Sequence, residues 1–179
     1  MRDGVQQQFS KAYELYSDEL FRHCSLRLSD RERALELTQE AFLRTWNYLS
    51  KGEEIEQLRP FLYRTLKNLI VDEYRKMKTY SLEGMIDEAE GETVESLLPS
   101  DDSNTLEAAV DRFEGKRAMD MLGKLPDAYK EVLILRYVDG LAPKEIAEAL
   151  SESENTVSVR LHRALKKLRD LLENDGTQS

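Results

Sequence analysis

Cysteine is almost missing from this chain: Cys24 is the one thiol among 179 residues. A lone cysteine excludes an internal disulfide framework, and neither it nor the two histidines belongs to a cluster with zinc-ligand spacing, so no metal site is expected. Cys24 reads as a small buried apolar residue on a helix, suited to a reducing compartment. Glycine and proline are scarce as well, at 8 and 4, which removes the turn residues a many-stranded sheet needs. No apolar run approaches the ~20 residues that cross a bilayer, and Met1–Gln6 has no apolar signal core. The expectation is a cytoplasmic protein without membrane insertion. Paired carboxylates, a nucleophile constellation and a phosphate-cradling glycine loop are all wanting, which argues against an enzyme and gives no catalytic residue and no cofactor.

What the chain has in quantity is Ala, Leu, Glu, Lys and Arg; 34% of residues are charged and 40% hydrophobic. That composition favours helix throughout. The length predicts one or two domains at about 100–200 residues each. The formal net charge is −9, which opposes non-specific attraction to a phosphate backbone. Any contact with nucleic acid has to come from local basic faces.

The predicted architecture is all-α: two small helical domains, at 5–78 and 104–174, joined by an acidic linker at 79–103. In the first domain, Phe9, Tyr13, Tyr16, Leu20 and Cys24 recur at helical spacing and place a helix over about Ser10–Leu28. Ser29-Asp30-Arg31-Glu32 reads as a capping box on Ser29. The helix it opens runs to about Tyr48, with Leu35, Phe42, Leu43 and Trp46 as apolar positions. A third helix begins near Arg59-Pro60, where proline suits the first turn, and fades at Met77-Lys78. From Thr79 to Asp111 there is no Lys or Arg, the composition of a solvated spacer. In the second domain a helix is predicted over Thr105–Gly123. Another starts at Leu125-Pro126-Asp127 and ends at Asp139-Gly140, with Gly140 as a left-handed cap. A short helix spans Pro143–Leu150, a turn Ser151-Glu152-Ser153, and a final helix Glu154–Leu172.

A short helix, a tight turn and a longer basic helix form the layout of a helix-turn-helix. Ile146, Ala147 and Leu150 face inward, and small Ala147 permits a close crossing. Val157, Leu161, Ala164, Leu168 and Leu171 define one buried stripe of the last helix. The candidate DNA-reading residues are Asn155, Thr156, Ser158, Val159, Arg160, His162, Arg163 and Lys166. Between Asn155 and Arg169 there are five basic residues and no acid. A solvated basic face on an ordinary bundle helix is the plainer alternative, and His162 is open between a contact and simple exposure. The third helix of the first domain is also locally basic, through Arg59, Arg64, Lys67, Arg75, Lys76 and Lys78. Phe61, Tyr63 and Tyr74 are interleaved, a pattern that holds single strands by backbone attraction and stacking, or else fills a core.

Taken together, these segments resemble the extracytoplasmic-function sigma factors of bacterial RNA polymerase. Leu125-Pro126-Asp127-Ala128-Tyr129 through Tyr137 resembles the start of that family's fourth region. Gly140-Leu141, Lys144-Glu145-Ile146-Ala147, Thr156-Val157 and Arg160-Leu161-His162-Arg163-Ala164 continue it. Leu37-Thr38-Gln39-Glu40-Ala41-Phe42-Leu43-Arg44-Thr45-Trp46 is similar to its second region. Phe61-Leu62-Tyr63-Arg64, Asn68, Asp72 and Arg75 are similar to its promoter-melting stretch. The resemblance implies binding to core RNA polymerase through Glu36, Leu37, Gln39, Glu40 and Leu43. It implies contacts to the minus-ten element through Arg64, Lys67, Asn68, Asp72, Arg75 and Lys76, and to the minus-thirty-five element through the last helix. Promoter DNA and an anti-sigma factor are the further partners implied.

Some positions depart from the family. Its run of acids before Leu37 is replaced by Arg33-Ala34-Leu35-Glu36, so Arg33→Asp with Leu35→Glu is expected to strengthen polymerase binding. Ser151 stands where the turn often has Gly, and Asn155 where Gly often precedes Thr-Val; Asn tolerates the left-handed region. Two other readings stay open on the residues alone. One is a conventional helix-turn-helix regulator that binds duplex DNA by itself, and the other is a helical adaptor that binds only protein.

Overall fold

The computed structural model describes residues 2–28, 30–83 and 120–176, with side chains described over 4–28, 30–78 and 120–174. Every regular element among these residues is helical. The chain divides into two compact units, one built on the helices up to residue 83 and one on those from residue 120 onward.

The first unit holds α1 (Arg2–Ser25), α2 (Arg31–Ser50) and α3 (Leu58–Glu83), each packed against the other two. Helix α1 starts well before Ser10, because Gln6-Gln7-Gln8 propagates a helix without adding to the apolar periodicity. The residue that opens α2 is Asp30, not Ser29. Its backbone is extended (φ −97°, ψ 112°) and its carboxylate accepts the Arg33 N–H at 3.0 Å. Asp and Ser are equally good caps, so an adjacent pair cannot be ranked by residue type. Moving the cap by one residue puts Arg33 at the third helical position in place of Glu32, and no capping box forms. Ser29 itself lies outside the described residues.

Buried Leu20, Cys24, Ala34, Leu37, Ala41, Phe42, Leu62, Tyr63 and Leu66 make the core of this unit. Thr38 and Thr45 are buried among them, and each hydroxyl donates back to the carbonyl one turn earlier, Ala34 and Ala41, at 2.8 Å. That local bond satisfies the hydroxyl and lets threonine sit in an apolar interior. Burial pushes the Cys24 thiol up to about 12, against a weaker opposing influence of the neighbouring Thr38 hydroxyl. Helix α3 runs to Glu83, into the span expected to be linker. The remainder of that linker and most of the helix expected over Thr105–Gly123 lie outside the described residues.

In the second unit, residues 120–123 are the described end of a helix. Helix α4 (Asp127–Leu133) continues into a π-helical turn at Ile134–Val138. The wider turn is closed by the Asp139 N–H on the Ile134 carbonyl at 3.0 Å and the Leu141 N–H on the Leu135 carbonyl at 2.9 Å. Gly140 takes φ +70°, the left-handed stop expected of it. Arg136 donates through Nη1 to the Leu141 carbonyl at 3.0 Å and holds the chain as it turns away. Helices α5 (Pro143–Leu150) and α6 (Glu154–Gly176) follow.

The join between α5 and α6 is a Schellman turn. Glu152 N–H reaches the Ala147 carbonyl at 2.9 Å and Ser151 N–H the Glu148 carbonyl at 3.3 Å. Ser151 carries the left-handed conformation, at φ 56°. Asn155 needs no such tolerance, because it lies inside α6. Ser153 caps α6, its hydroxyl accepting the Thr156 N–H at 3.1 Å.

Two outcomes are expected from this packing. Ser151→Gly relieves a non-glycine left-handed residue and leaves the second unit as stable or more stable by up to about 1 kcal/mol, whereas Ser151→Val costs about 1–3 kcal/mol. Urea unfolding of the two variants measures the difference. Cys24, with its thiolate disfavoured by burial, alkylates at pH 8 far more slowly in the folded chain than after denaturation. Because the unfolded thiol ionises first, stability is unaffected by this group below about pH 9 and falls as pH rises toward 12.

Candidate nucleic-acid faces and docking face

Helix α6 turns Val157, Leu161 and Ala164 into the interior, with Leu168 and Leu171 half-buried below them. This fixes the rotation of the helix. Asn155, Thr156, Ser158, Val159, His162, Arg163 and Lys166 are exposed on the other side. The first turn, where such a helix meets base edges, therefore offers an amide, two hydroxyls and an apolar branch. Further along stand His162, Arg163 and Lys166. Thr156 also shares a 2.7 Å hydroxyl contact with Ser153.

Arg160 differs from its neighbours. Its Nη2 lies 3.0 Å from Glu152 Oε1 and 2.8 Å from Oε2, and it is mostly covered. The pair ties the turn to the second helical turn of α6. Arg160 thus acts first as a fastener for the recognition helix, a role its basic character did not announce. The acid that captures it, Glu152, lies outside the acid-free segment.

In the first unit, Arg64, Asn68, Asp72, Arg75 and Lys76 are exposed along α3, and Lys67 is half-exposed. Arg64 lies over the Phe61 ring at 5.1 Å, and Arg75 stands 3.7 Å from Asp72 one turn back. Arg59, counted among the basic residues of this helix, is turned inward instead. It grips Glu19 of α1 with Nε at 2.7 Å and Nη2 at 3.0 Å, and it stacks over Tyr16 at 5.8 Å. The three interleaved aromatics part company. Tyr63 is core, edge-on to buried His23 at 5.1 Å. Phe61 is half-buried and leans on Tyr48 at 5.2 Å. Tyr74 is exposed, with its hydroxyl donating to the Arg27 carbonyl.

Helix α2 buries Ala34, Leu37, Thr38, Ala41, Phe42, Thr45 and Leu49. Leu37 is 4% exposed and belongs to the core, so it is not available to a partner as expected. Leu35 and Leu43, two of the apolar positions of this helix, are 48% and 53% exposed. Eight residues apart, they share one side of the helix with Gln39 between them and Glu36 beside them. Two leucines, an amide and a carboxylate form an exposed amphipathic strip. Glu40 is half-exposed and receives Arg44 Nε at 2.7 Å.

Arg33 joins α2 to α3. Its Nε and Nη2 each donate to a different oxygen of Glu73 at 2.7 Å, and its Nη1 donates to Glu36 at 2.6 Å. These bonds hold the guanidinium charge in place and hold Glu73 below the usual carboxylate range. The expected gain from Arg33→Asp overlooks this junction, since the change removes the fork and sets a new carboxylate between Glu36 and Glu73. The neighbouring open groove of about 560 Å³ is lined by Arg33, Arg44 and Lys76 and by Glu36, Glu40 and Asp72 among others. Its charges nearly balance, so it favours neither an anion nor a cation.

The family model Sigma-70 region 2 matches residues 12–79, and Sigma-70, region 4 matches residues 116–168. The chain is 30% identical over 175 residues to the ECF RNA polymerase sigma factor SigW of Bacillus subtilis, covering 97% of this chain and 94% of that protein. It is 28% identical over 165 residues to the ECF RNA polymerase sigma factor SigL of Mycobacterium tuberculosis, covering 92% and 88%. Among solved structures, the sigma factor RpoE of Bartonella quintana, crystallised with the anti-sigma factor NepR, has the same fold. Its TM-score is 0.67 at 18% identity, over 93% of this chain and 98% of that one. Among the described residues, no group of His, Cys, Asp and Glu is placed to hold a metal ion, and no helix is long and apolar enough to cross a membrane.

The two leucines at the centre of this geometry should separate cleanly. Leu37→Ala removes a core side chain and costs about 2–5 kcal/mol of unfolding free energy. Leu43→Ala, on the solvent side, stays within about 0.5 kcal/mol of the parent. Denaturant unfolding of each full-length variant measures both.

Proposed function

Because the chain belongs to the extracytoplasmic-function sigma factors of bacterial RNA polymerase, we propose a division of labour between its two units on core polymerase. The first unit docks on core through Leu35, Gln39, Leu43, Glu36 and Glu40, and meets the melted minus-ten element with Arg64, Lys67, Asn68, Asp72, Arg75 and Lys76. The second unit reads the minus-thirty-five element with α6. A sigma factor is not an enzyme: the polymerase supplies the chemistry, and this chain supplies promoter choice and strand opening. It works where the chromosome and polymerase are, in the cytoplasm.

The observation that carries this reading is the outward face of α6. Asn155, Thr156, Ser158 and Val159 stand at its start, with Arg163 and Lys166 along the same exposed side. Polar and apolar groups at the helix start suit base edges, and the cations suit phosphate. Arg160 supports this face from behind through Glu152.

The docking strip on α2 completes the assignment. Leu35 and Leu43 have no burial in the first unit to account for them, and isolated leucines flanking an amide fit a helical partner surface. Leu37, removed from that surface, sets the helix rotation that presents them. With α3 extending to Glu83, the connector proposed between the units is 84–103, within domains of 5–83 and 104–174. The acidity of that span suits a path through channels built for nucleic acid. An anti-sigma factor that covers these same faces, as NepR accompanies RpoE, is a consistent regulator.

Arg163→Ala and Val159→Ala should act differently on promoters. Loss of Arg163 lowers occupancy across promoters and reduces the salt slope by about 1 where phosphate is its partner. Loss of Val159 changes preference at one base pair by about 1 kcal/mol or less, below the range of a bidentate contact. Binding of holoenzyme to a promoter library at two salt concentrations checks both, and equal effects of Val159→Ala on all promoters would remove its base-reading role.

A further inference from the structure

Helix α3 carries a charge problem in the stretch that faces DNA. Between Leu58 and Lys78 its acids are Asp72 and Glu73, set among Arg64, Lys67, Arg75, Lys76 and Lys78. Asp72 is met within the helix by Arg75 at 3.7 Å. Glu73 is met from another helix: Arg33 of α2 takes both of its oxygens at 2.7 Å. The fork matches the carboxylate edge to edge, the geometry in which arginine neutralises a carboxylate most completely. Glu73 is mostly covered, at 15% side-chain exposure, while Arg33 keeps 34% and a further bond to Glu36. The same contact explains why a base stands in a stretch where the family has acids: an acid at position 33 would face Glu73 directly.

We propose that Arg33 is a positioning residue for promoter opening, which draws the Glu73 carboxylate away from the DNA-facing side of α3 and cancels its repulsion of phosphate. The proposal rests on the reading of α3 as the face that meets the minus-ten strand. Arg33 touches no DNA in this scheme. It acts through Glu73, and thereby lessens the pull of that acid on Lys76, one turn onward.

A mere tie between α2 and α3 predicts that loss of either partner does equal harm. Charge cancellation predicts opposite signs. Arg33→Gln exposes the acid, and promoter affinity of the preformed holoenzyme falls roughly 3- to 10-fold at low salt, the effect of one unscreened charge several ångströms from a phosphate. The deficit shrinks as salt rises, because surface charges are screened within a Debye length of ~10 Å near 0.1 M. Glu73→Gln removes the acid and leaves Arg33 with Glu36, so affinity holds or rises. The double variant Arg33→Gln/Glu73→Gln returns to within about two-fold of the parent, an interaction that a cycle of the two changes isolates.

The experiment is a double-mutant cycle on holoenzyme formed with saturating core polymerase. It measures promoter affinity and permanganate reactivity of minus-ten thymines at two salt concentrations, with thermal unfolding of each free variant alongside. Lys76→Gln is included as a probe of the face itself. Opposite signs for the single changes, with recovery in the double, support the proposal. Equal losses that persist at high salt and follow the unfolding temperatures overturn it and leave Arg33 as a structural tie. If Lys76→Gln and every other change leave the promoter complex untouched, the reading of α3 as a DNA face fails, and the proposal fails with it.

Discussion

Two arginine–carboxylate forks fix α3 in the first unit: Arg59 of α3 on Glu19 of α1, and Arg33 of α2 on Glu73 of α3. The first clamps the start of the helix and the second its later turns. With both ends held and Leu62, Tyr63, Leu66, Leu69 and Ile70 buried, the helix has one rotation available. That rotation decides which cations look outward. It spends one arginine of α3 inside the unit and exposes Arg64, Arg75 and Lys76. In a chain of net charge −9, such sorting is what makes a basic face possible at all.

The second unit solves the same problem with different parts. Its recognition helix is aimed by a Schellman turn, a left-handed Ser151 and the Glu152–Arg160 pair. Val157, Leu161 and Ala164 then lock the helix against the interior. The outward face of α6 is held by the turn as much as by the helix. The π-helical turn before it, closed by Asp139, Gly140 and Arg136, sends the chain into α5.

Helix identity was legible in the sequence because apolar spacing, the starts at Pro60 and Pro126 and the stop at Gly140 are strong local signals. α5 matches its predicted bounds, bracketed by Pro143 and Ser151. The start of α1 and the ends of α3 and α6 extend further than the apolar pattern did, since polar helix formers continue a helix without marking it, while α1 stops at Ser25, short of the expected Leu28. The π-helical turn at Ile134–Val138 leaves no mark in residue type, because it is a shift in backbone hydrogen bonding. Side-chain roles were legible only where one element decides them. The outward face of α6 follows from its own stripe. Leu37 against Leu43, Arg59 inward and Arg33 across to Glu73 depend on where a second helix lies, and no spacing within one helix contains that information. Tyr63 shows the same limit: as one of three aromatics on α3, it is assigned to the core only by the approach of His23.

DNA recognition is then a property of the assembly. Each unit offers one narrow basic face, and an acidic chain holding a single such face is repelled at long range. Core polymerase sets both units on one promoter, which makes the second contact effectively intramolecular and raises avidity by about 10²–10⁴ when the geometry matches. The direct test is to compare promoter binding and opening of the minus-ten region for the free protein and for the protein with core, near physiological salt. Negligible sequence-specific binding alone, with tight binding and strand opening once core is added, is the predicted result. Nanomolar, sequence-specific binding of the isolated protein to duplex DNA, unchanged by core, would contradict it.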